Sequence, residues 1–161
     1  MAAKDLEISK LQTTEDAEAC AKMMSGSEPW ITLGRDYGSS LKTITDPLKE
    51  VYLVKSRGKV AGFIVLIMKG ALVGYVQSIC IAPAMRGRGI GSKLLRLAEK
   101  RIFYESPNVF LMVSSFNDGA QRLYKKLGYE TVGELKDYIV PGHSEILMRK
   151  TVGSMSDFKK A

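Results

Sequence analysis

The chain has 161 residues, 45% hydrophobic and 25% charged, proportions that fit one soluble globular domain rather than a fibrous or low-complexity chain. No apolar run reaches the roughly 18 residues of a membrane helix, and the opening MAAKDLEISK lacks the apolar stretch of a secretory signal. The net charge of 24 − 17 = +7 favours polyanionic partners, but no RNA-binding aromatic motif, helix-turn-helix signature or long basic run accompanies it, so nucleic acid is not the expected partner.

Leu6-Glu7-Ile8 alternates as a first strand would. Thr13-Thr14-Glu15-Asp16 supplies capping hydroxyls and first-turn acids. Ala17, Cys20, Ala21 and Met24 follow at helical spacing, until Ser25-Gly26-Ser27-Glu28-Pro29 breaks the pattern. Residues 30–45 mix apolar side chains with Gly34, Gly38 and serines, which predicts one or two short helices ending at Asp46-Pro47. Trp30, the one Trp, reads as a packing residue or as part of a cleft wall. Residues 51–54 and 60–68 are strand-like, joined by the turn Ser56-Arg57-Gly58-Lys59.

A third apolar run, residues 73–81, leads through Ala82-Pro83 into Arg86-Gly87-Arg88-Gly89-Ile90-Gly91. A helix is predicted over residues 89–104, with Ile90, Leu94, Leu97, Ala98 and Ile102 on its buried face. Ser106-Pro107-Asn108 interrupts, and residues 109–113 read as a buried strand. Asn117-Asp118 opens a helix with Ala120, Leu123, Tyr124 and Leu127 on one face and Gly128 as its C-terminal cap. Residues 129–135 and 144–149 are strand-like and meet near Pro141-Gly142-His143. The polar tail from Thr151 is expected to fray, giving one domain over residues 1–150 and a flexible tail over 151–161. The order β-α-α-β-β-β-α-β-α-β-β predicts a mixed α/β fold. Because the apolar runs do not alternate cleanly, both sheet faces should be covered. Residues 73–113 form a βαβ unit and must run parallel in part.

The glycines of residues 87–91 sit where a strand hands over to a helix. The leading N–H groups of a helix have no internal partner and carry roughly half a positive charge between them. Glycine lets the backbone approach a ligand closely, and phosphate suits such a place. Arg86 and Arg88 add donors of the right sign. A dinucleotide fold wants G-x-G-x-x-G and a later acid, and a nucleotide-triphosphate loop wants G-K-[ST] after its spacer; Gly91-Ser92-Lys93 matches neither. The plain alternative is a glycine-rich structural turn.

Two motifs resemble the GNAT superfamily of N-acetyltransferases. R/Q-x-x-G-x-G/A is met by Arg86, Gly89 and Gly91, and N-x-x-A-x-x-x-Y-x-x-x-G-[FY] by Asn117, Ala120, Tyr124, Gly128 and Tyr129. The ending GELKDYIVPGHSEILMRK is most similar to the ribosomal-protein alanine acetyltransferase (RimI-like) group. The resemblance implies a three-layer fold: a central mixed, mostly antiparallel sheet with a splayed parallel pair, and helices on both faces. It implies acetyl-CoA as cofactor and direct acetyl transfer to a primary amine, either a protein N-terminus or a small molecule. The pyrophosphate of coenzyme A would lie on Arg86, Gly87, Arg88, Gly89, Ile90, Gly91 and Ser92. Its pantetheine arm would lie along the backbone of Ile79, Cys80 and Ile81, with Asn117 and Tyr124 nearby. Tyr124 would be the catalytic acid that protonates the leaving sulfur, and its plain alternative is a core tyrosine. Arg122, Lys125 and Lys126 either reach a ribose phosphate or form a solvated basic face. Residues 25–47 and 135–145 would wall the acceptor site. Dimers are common for this fold.

One departure stands out. Many family members place a glutamate before the phosphate turn as base for the amine, whereas this chain has Gln77-Ser78. Glu145, Asp137, His143 or a water held by Gln77 or Ser78 could serve, or no dedicated base is needed. A non-catalytic acetyl-CoA-binding regulatory module is the alternative reading. Cys20 and Cys80 fall in apolar patterns and read as buried, reduced thiols, which suits a cytoplasmic protein. One His and two Cys fall short of a structural zinc site, so no metal is expected.

Overall fold

The computed structural model describes residues 5–160. Its elements run β1 (Leu6–Lys10), α1 (Thr14–Ser25), α2 (Tyr37–Ile44), β2 (Glu50–Ser56), β3 (Lys59–Ile67), β4 (Tyr75–Ile81), α3 (Ile90–Phe103), β5 (Asn108–Ser114), α4 (Asp118–Lys126), β6 (Glu130–Leu135) and β7 (Glu145–Thr151), with a 3-10 turn at Pro83–Met85. This is the expected order. Residues 30–45 hold a single helix, α2, whose N-cap Asp36 accepts a hydrogen bond from the Ser39 N–H at 2.8 Å. The β2–β3 hairpin turns through Arg57 at φ 50° and Gly58 at φ 75°. Both are left-handed, as a two-residue turn matching the strand twist requires.

The strands form one seven-stranded sheet in the order β1-β2-β3-β4-β5-β7-β6. Only β4 and β5 pair in parallel; the other neighbours are antiparallel. Side chains alternate between two cores. On one face Val54, Ile64, Leu66, Leu111 and Met148 pack with α3 and α4. On the other Leu53, Phe63, Val65 and Cys80 pack with Ala17, Cys20 and Met24 of α1 and Ile44 of α2. Both sheet faces are therefore covered, which explains the unbroken apolar runs. Arg101 of α3 grips Glu50 of β2 with two bonds, Nη2 to Oε1 at 2.6 Å and Nε to Oε2 at 2.9 Å.

The buried face of α3 is Ile90, Leu94, Leu95, Ala98 and Ile102. Leu95 takes the place expected for Leu97. At about 100° per residue the five span a stripe of roughly 140°, and Leu97 falls outside it. Leu97 lines a shallow hollow with Tyr52 and Tyr104 instead. At the C-terminus, β7 runs to Thr151, which pairs with Asn108 and donates its hydroxyl to the Pro107 carbonyl at 3.2 Å. Among the described residues no helix is long and apolar enough to cross a membrane.

Gly74 precedes β4 at φ +87°. A Cβ there would meet the Ile102 side chain and lie 2.6 Å from the Asn108 carbonyl oxygen. Gly74→Ala should cost about 2–4 kcal/mol, combining backbone strain with overpacking. Urea denaturation monitored by circular dichroism measures that loss.

Candidate active site

The site begins with a separation of strands. β4 and β5 pair only at Tyr75–Phe110 and Val76–Leu111. Beyond Val76, β4 stays with β3 as far as Ile81–Gly62, and β5 stays with β7 as far as Ser114–Glu145. A wedge opens between them. β3 and β4 change register between Val65 and Leu66, which leaves Gln77 as an extra residue in β4. Such a bulge re-aims a side chain. Gln77 Oε1 is buried and accepts no hydrogen bond from the described residues.

Alternation along β4 decides which backbone groups face the wedge. The Ala82 N–H bonds the Ala61 carbonyl of the β3 side, and Cys80 pairs with Phe63 in the same register. In an antiparallel pair the backbone groups of successive residues point to opposite sides. Ile79 and Ile81 therefore face the wedge, while the Cys80 backbone faces β3. The Cys80 side chain is packed in the second core, and burial pushes its thiol up to about 11. Burial likewise pushes the Cys20 thiol up to about 12. Both cysteines are free and buried.

Below the wedge, Gly87 at φ +71° and Gly89 at φ +75° adopt the left-handed conformation, with open space where a side chain would stand. Gly89 caps α3 without a side-chain hydrogen bond, and the first turn carries no acid. The helix thus presents its leading N–H groups to solvent beside two arginines. Arg86 is fixed there by its Nε, which donates to the Ile81 carbonyl at 3.2 Å. The Ile90 side chain belongs to the core.

α4 supplies the other wall. Asn117 caps it, its side chain accepting from the Ala120 N–H at 3.2 Å. Gln121 Nε2 donates to the carbonyls of Ser114 and Ser115 at 3.3 and 3.1 Å, tying the helix to the end of β5. Gly128 at φ 93° ends it, with the Tyr129 N–H reaching the Tyr124 carbonyl at 3.0 Å and the Gly128 N–H reaching Lys125. Tyr124 is 6% exposed, and burial raises its phenol well above the usual tyrosine range. The Tyr129 ring lies 5.9 Å away, but its hydroxyl is engaged by Glu99 Oε1 at 3.1 Å. Arg122, Lys125 and Lys126 are exposed.

Tyr124, Asn117, Gln77, Ser78 and Ile79 line one cavity of about 290 Å³ in the wedge. Trp30 and Arg35 close it from the segment between α1 and α2, and Tyr138, Ile139 and Glu145 from the β6–β7 connection and the start of β7. Tyr75, Met112 and Ser114 complete the wall. Glu145 is only 4% exposed, and its Oε1 accepts the Ser114 hydroxyl at 2.7 Å. Burial raises its carboxyl pKa, against the lowering effects of the Ser114 bond and of His143. Asp137 is occupied elsewhere: its carboxylate accepts the Gly142 N–H at 2.7 Å and shapes the loop. His143 stands edge-on to Phe116, with centroids 4.7 Å apart. Ser114 and Tyr75 carry no motif in the sequence; only the β5–β7 register and the splay bring them to the cavity.

The Acetyltransferase (GNAT) family model matches residues 12–129. "N-alpha-acetyltransferase RimI" of Mycobacterium tuberculosis is 30% identical over 152 residues, covering 89% of this chain and 92% of that protein. Two solved structures share the fold. One is an aminoglycoside 6'-N-acetyltransferase complexed with coenzyme A, at 17% identity and TM-score 0.77, covering 94% of this chain and 99% of that one. The other is the Escherichia coli ribosomal-protein-S18-alanine N-acetyltransferase, at 18% identity and TM-score 0.72, covering 94% of this chain and 97% of that one.

The raised carboxyl of Glu145 has a consequence for stability. Its favourable contribution belongs to the protonated form, is present below the unfolded pKa, and is lost as pH rises through the folded value. Glu145→Gln should therefore raise Tm by about 2–4 °C at pH 8. The gain should vanish toward pH 4, as calorimetric scans across pH would show.

Proposed function

The chain belongs to the GNAT family of acetyltransferases, and from that premise we propose that it acetylates the α-amine of a polypeptide N-terminus, with Tyr124 as the acid. Acetyl-CoA is the acetyl donor of the family and supplies the activated thioester. The residues present fit it. The outward-facing backbone of Ile79 and Ile81 would meet the amides of the pantetheine arm as a substitute strand. The turn of Gly87, Gly89 and Gly91, with the N–H groups of Ile90 and Ser92, would receive the pyrophosphate, and Arg86 and Arg88 would add charge. Asn117 would stand beside the arm.

The observation that carries this reading is the tyrosine hydroxyl on the wall of the wedge. Of the two neighbouring phenols, Tyr129 is engaged by Glu99, while Tyr124 has no hydrogen-bond partner among the described residues and faces the cavity. Burial keeps the Tyr124 phenol protonated. It can then hydrogen-bond the departing sulfur and donate to it. Backbone N–H groups of β4 would stabilise charge on the reacting carbonyl oxygen, as preorganised donors do in acyl transfer. A polypeptide acceptor is supported by the 30% identical relative, named for α-amine acetylation. It is also supported by the cavity walls, where Tyr138 and Ile139 carry exposed apolar surface.

Thiol release and mass spectrometry over free N-terminal peptides, N-blocked lysine peptides, a polyamine and an aminoglycoside test the acceptor. Modification of free N-termini alone is expected; turnover confined to the small amines would sink that choice. Tyr124→Phe should bind coenzyme A as the wild type does in calorimetry, and lose about 10²–10³ in kcat. An unchanged kcat would remove Tyr124 from the acid role.

A further inference from the structure

We propose that Glu145 receives the acceptor's ammonium group in the cavity and takes its proton, with the Ser114 hydroxyl holding the carboxylate in position. The inference rests on the acetyl-transfer reading above and adds the group that turns the amine into a nucleophile. Among the described residues lining the cavity, Glu145 is the one acid, and Arg35 is the one other charged side chain. Glu145 is nearly fully buried, yet among the described residues no salt bridge reaches it. Among those residues its one hydrogen bond comes from the neutral Ser114. A buried carboxylate without a cation is costly, and the cavity is where a cation would satisfy it.

The placement is rigid. Ser114 and Glu145 are direct cross-strand partners at the end of seven β5–β7 pairs. α4 follows β5 after a short turn and carries Tyr124 to the same cavity. A carboxylate and a phenol thus share one space, and each can handle a different proton. The remaining polar groups of the wall, Gln77, Ser78, Thr43 and Asn117, do not titrate near neutral pH.

A peptide α-amine ionises near pH ~7.7–8.0, so at neutral pH most of it is ammonium. Glu145 takes one N–H proton, and the nitrogen lone pair so released forms the C–N bond as the C–S bond breaks. Sulfur takes the phenolic proton of Tyr124, and the excess proton on nitrogen restores the phenol. The products are one amide, one thiol and one proton, passed from Glu145 to solvent. The titratable groups facing Glu145 are Tyr75 of β4, Tyr124 of α4, Tyr138 and His143 of the preceding loop, and Arg35 across the cavity. Burial raises the Tyr75 and Tyr124 phenols, which stay neutral over the assay range, so the part of the acid limb that Glu145→Gln abolishes belongs to Glu145.

Two measurements on the full chain test this. With saturating acetyl-CoA and an alanine-initiated heptapeptide, Glu145→Gln should lose about 100-fold in kcat/KM at pH 7. It should recover about tenfold per pH unit up to the amine's own pKa, as the neutral amine fraction grows. Ser114→Ala, which removes a donor to the carboxylate, should move the acid limb of the profile to higher pH. Separately, calorimetry on the coenzyme A-loaded protein compares the same peptide with its N-acetylated form. Glu145→Gln should weaken the free-amine peptide by about tenfold and leave the acetylated one unchanged. A wild-type pH profile in Glu145→Gln, or equal binding changes for both peptides, overturns the inference and leaves acetyl transfer intact. A wild type that binds the free-amine peptide through Glu145 but releases no thiol with any acceptor defeats the transferase reading instead.

Discussion

The parting of β4 from β5 after Val76 is the constraint on which the rest of the structure depends. Parallel neighbours would normally continue their ladder, because unpaired buried backbone groups are costly. Here each strand has a stronger commitment on its other side. β5 pairs with β7 along its whole length, and β4 follows β3 to its last residue. The two are pinned at one end, where the Phe110 N–H bonds the Gly74 carbonyl at 2.9 Å and Gly74 leaves room for Ile102 and Asn108. Twist accumulates from that pin and from the bulge at Gln77, so the far ends diverge. The fold thereby creates a strand edge in the middle of a sheet, and an edge recruits an extended guest.

Everything placed around the wedge serves to fix its rim. α3 enters beneath it with an uncapped N-terminus, so the anion-attracting end of the helix and the open strand edge lie on one continuous path. α4 crosses the other side, held by Asn117, by the two Gln121 bonds to the end of β5, and by the Gly128 cap. Those bonds lie within a few residues of Tyr124 on either side, so the phenol is positioned by backbone rather than by a flexible neighbour. The adjacent Tyr129 shows the contrasting outcome: its hydroxyl is tied to Glu99, which also receives Lys150 at 2.9 Å. One tyrosine is buried against a part-buried network; the other is left to the cavity.

The order of elements, the parallel pair and the glycine turn were legible in the sequence because they rest on local rules of periodicity, caps and turns. Tyr124 was legible through a motif whose spacing places it one helical turn beyond Ala120. What was hidden depends on pairings far apart in the chain. Glu145 and Ser114 are 31 positions apart, and only the β5–β7 register sets them face to face. The backbone direction of Cys80 needed the β3 register as well, since alternation decides that Ile79 and Ile81, and not Cys80, face the wedge. Leu97 and Leu95 changed roles because they lie at opposite edges of the wide contact stripe of α3, whose centre sits only about 20° from that of the sequence pattern.

The cavity is also a place where the chain accepts poor local energetics. Outside it Arg101 is matched with Glu50 and Tyr129 with Glu99, while Ser40 Oγ and Asn108 Oδ1 are buried without a partner among the described residues. In the wedge, Gln77 Oε1 has no donor, Glu145 has a neutral partner, and Tyr124 has none among the described residues. Three polar groups on one wall, each short of a partner, would be a defect if the wedge stayed empty through the working cycle. In the proposed reaction they would become complementary once an ammonium, an amide and a leaving sulfur arrive together, because each would then meet a group of opposite demand. A site arranged this way stabilises the reacting assembly more than the resting protein, and differential stabilisation of that kind is what lowers a barrier.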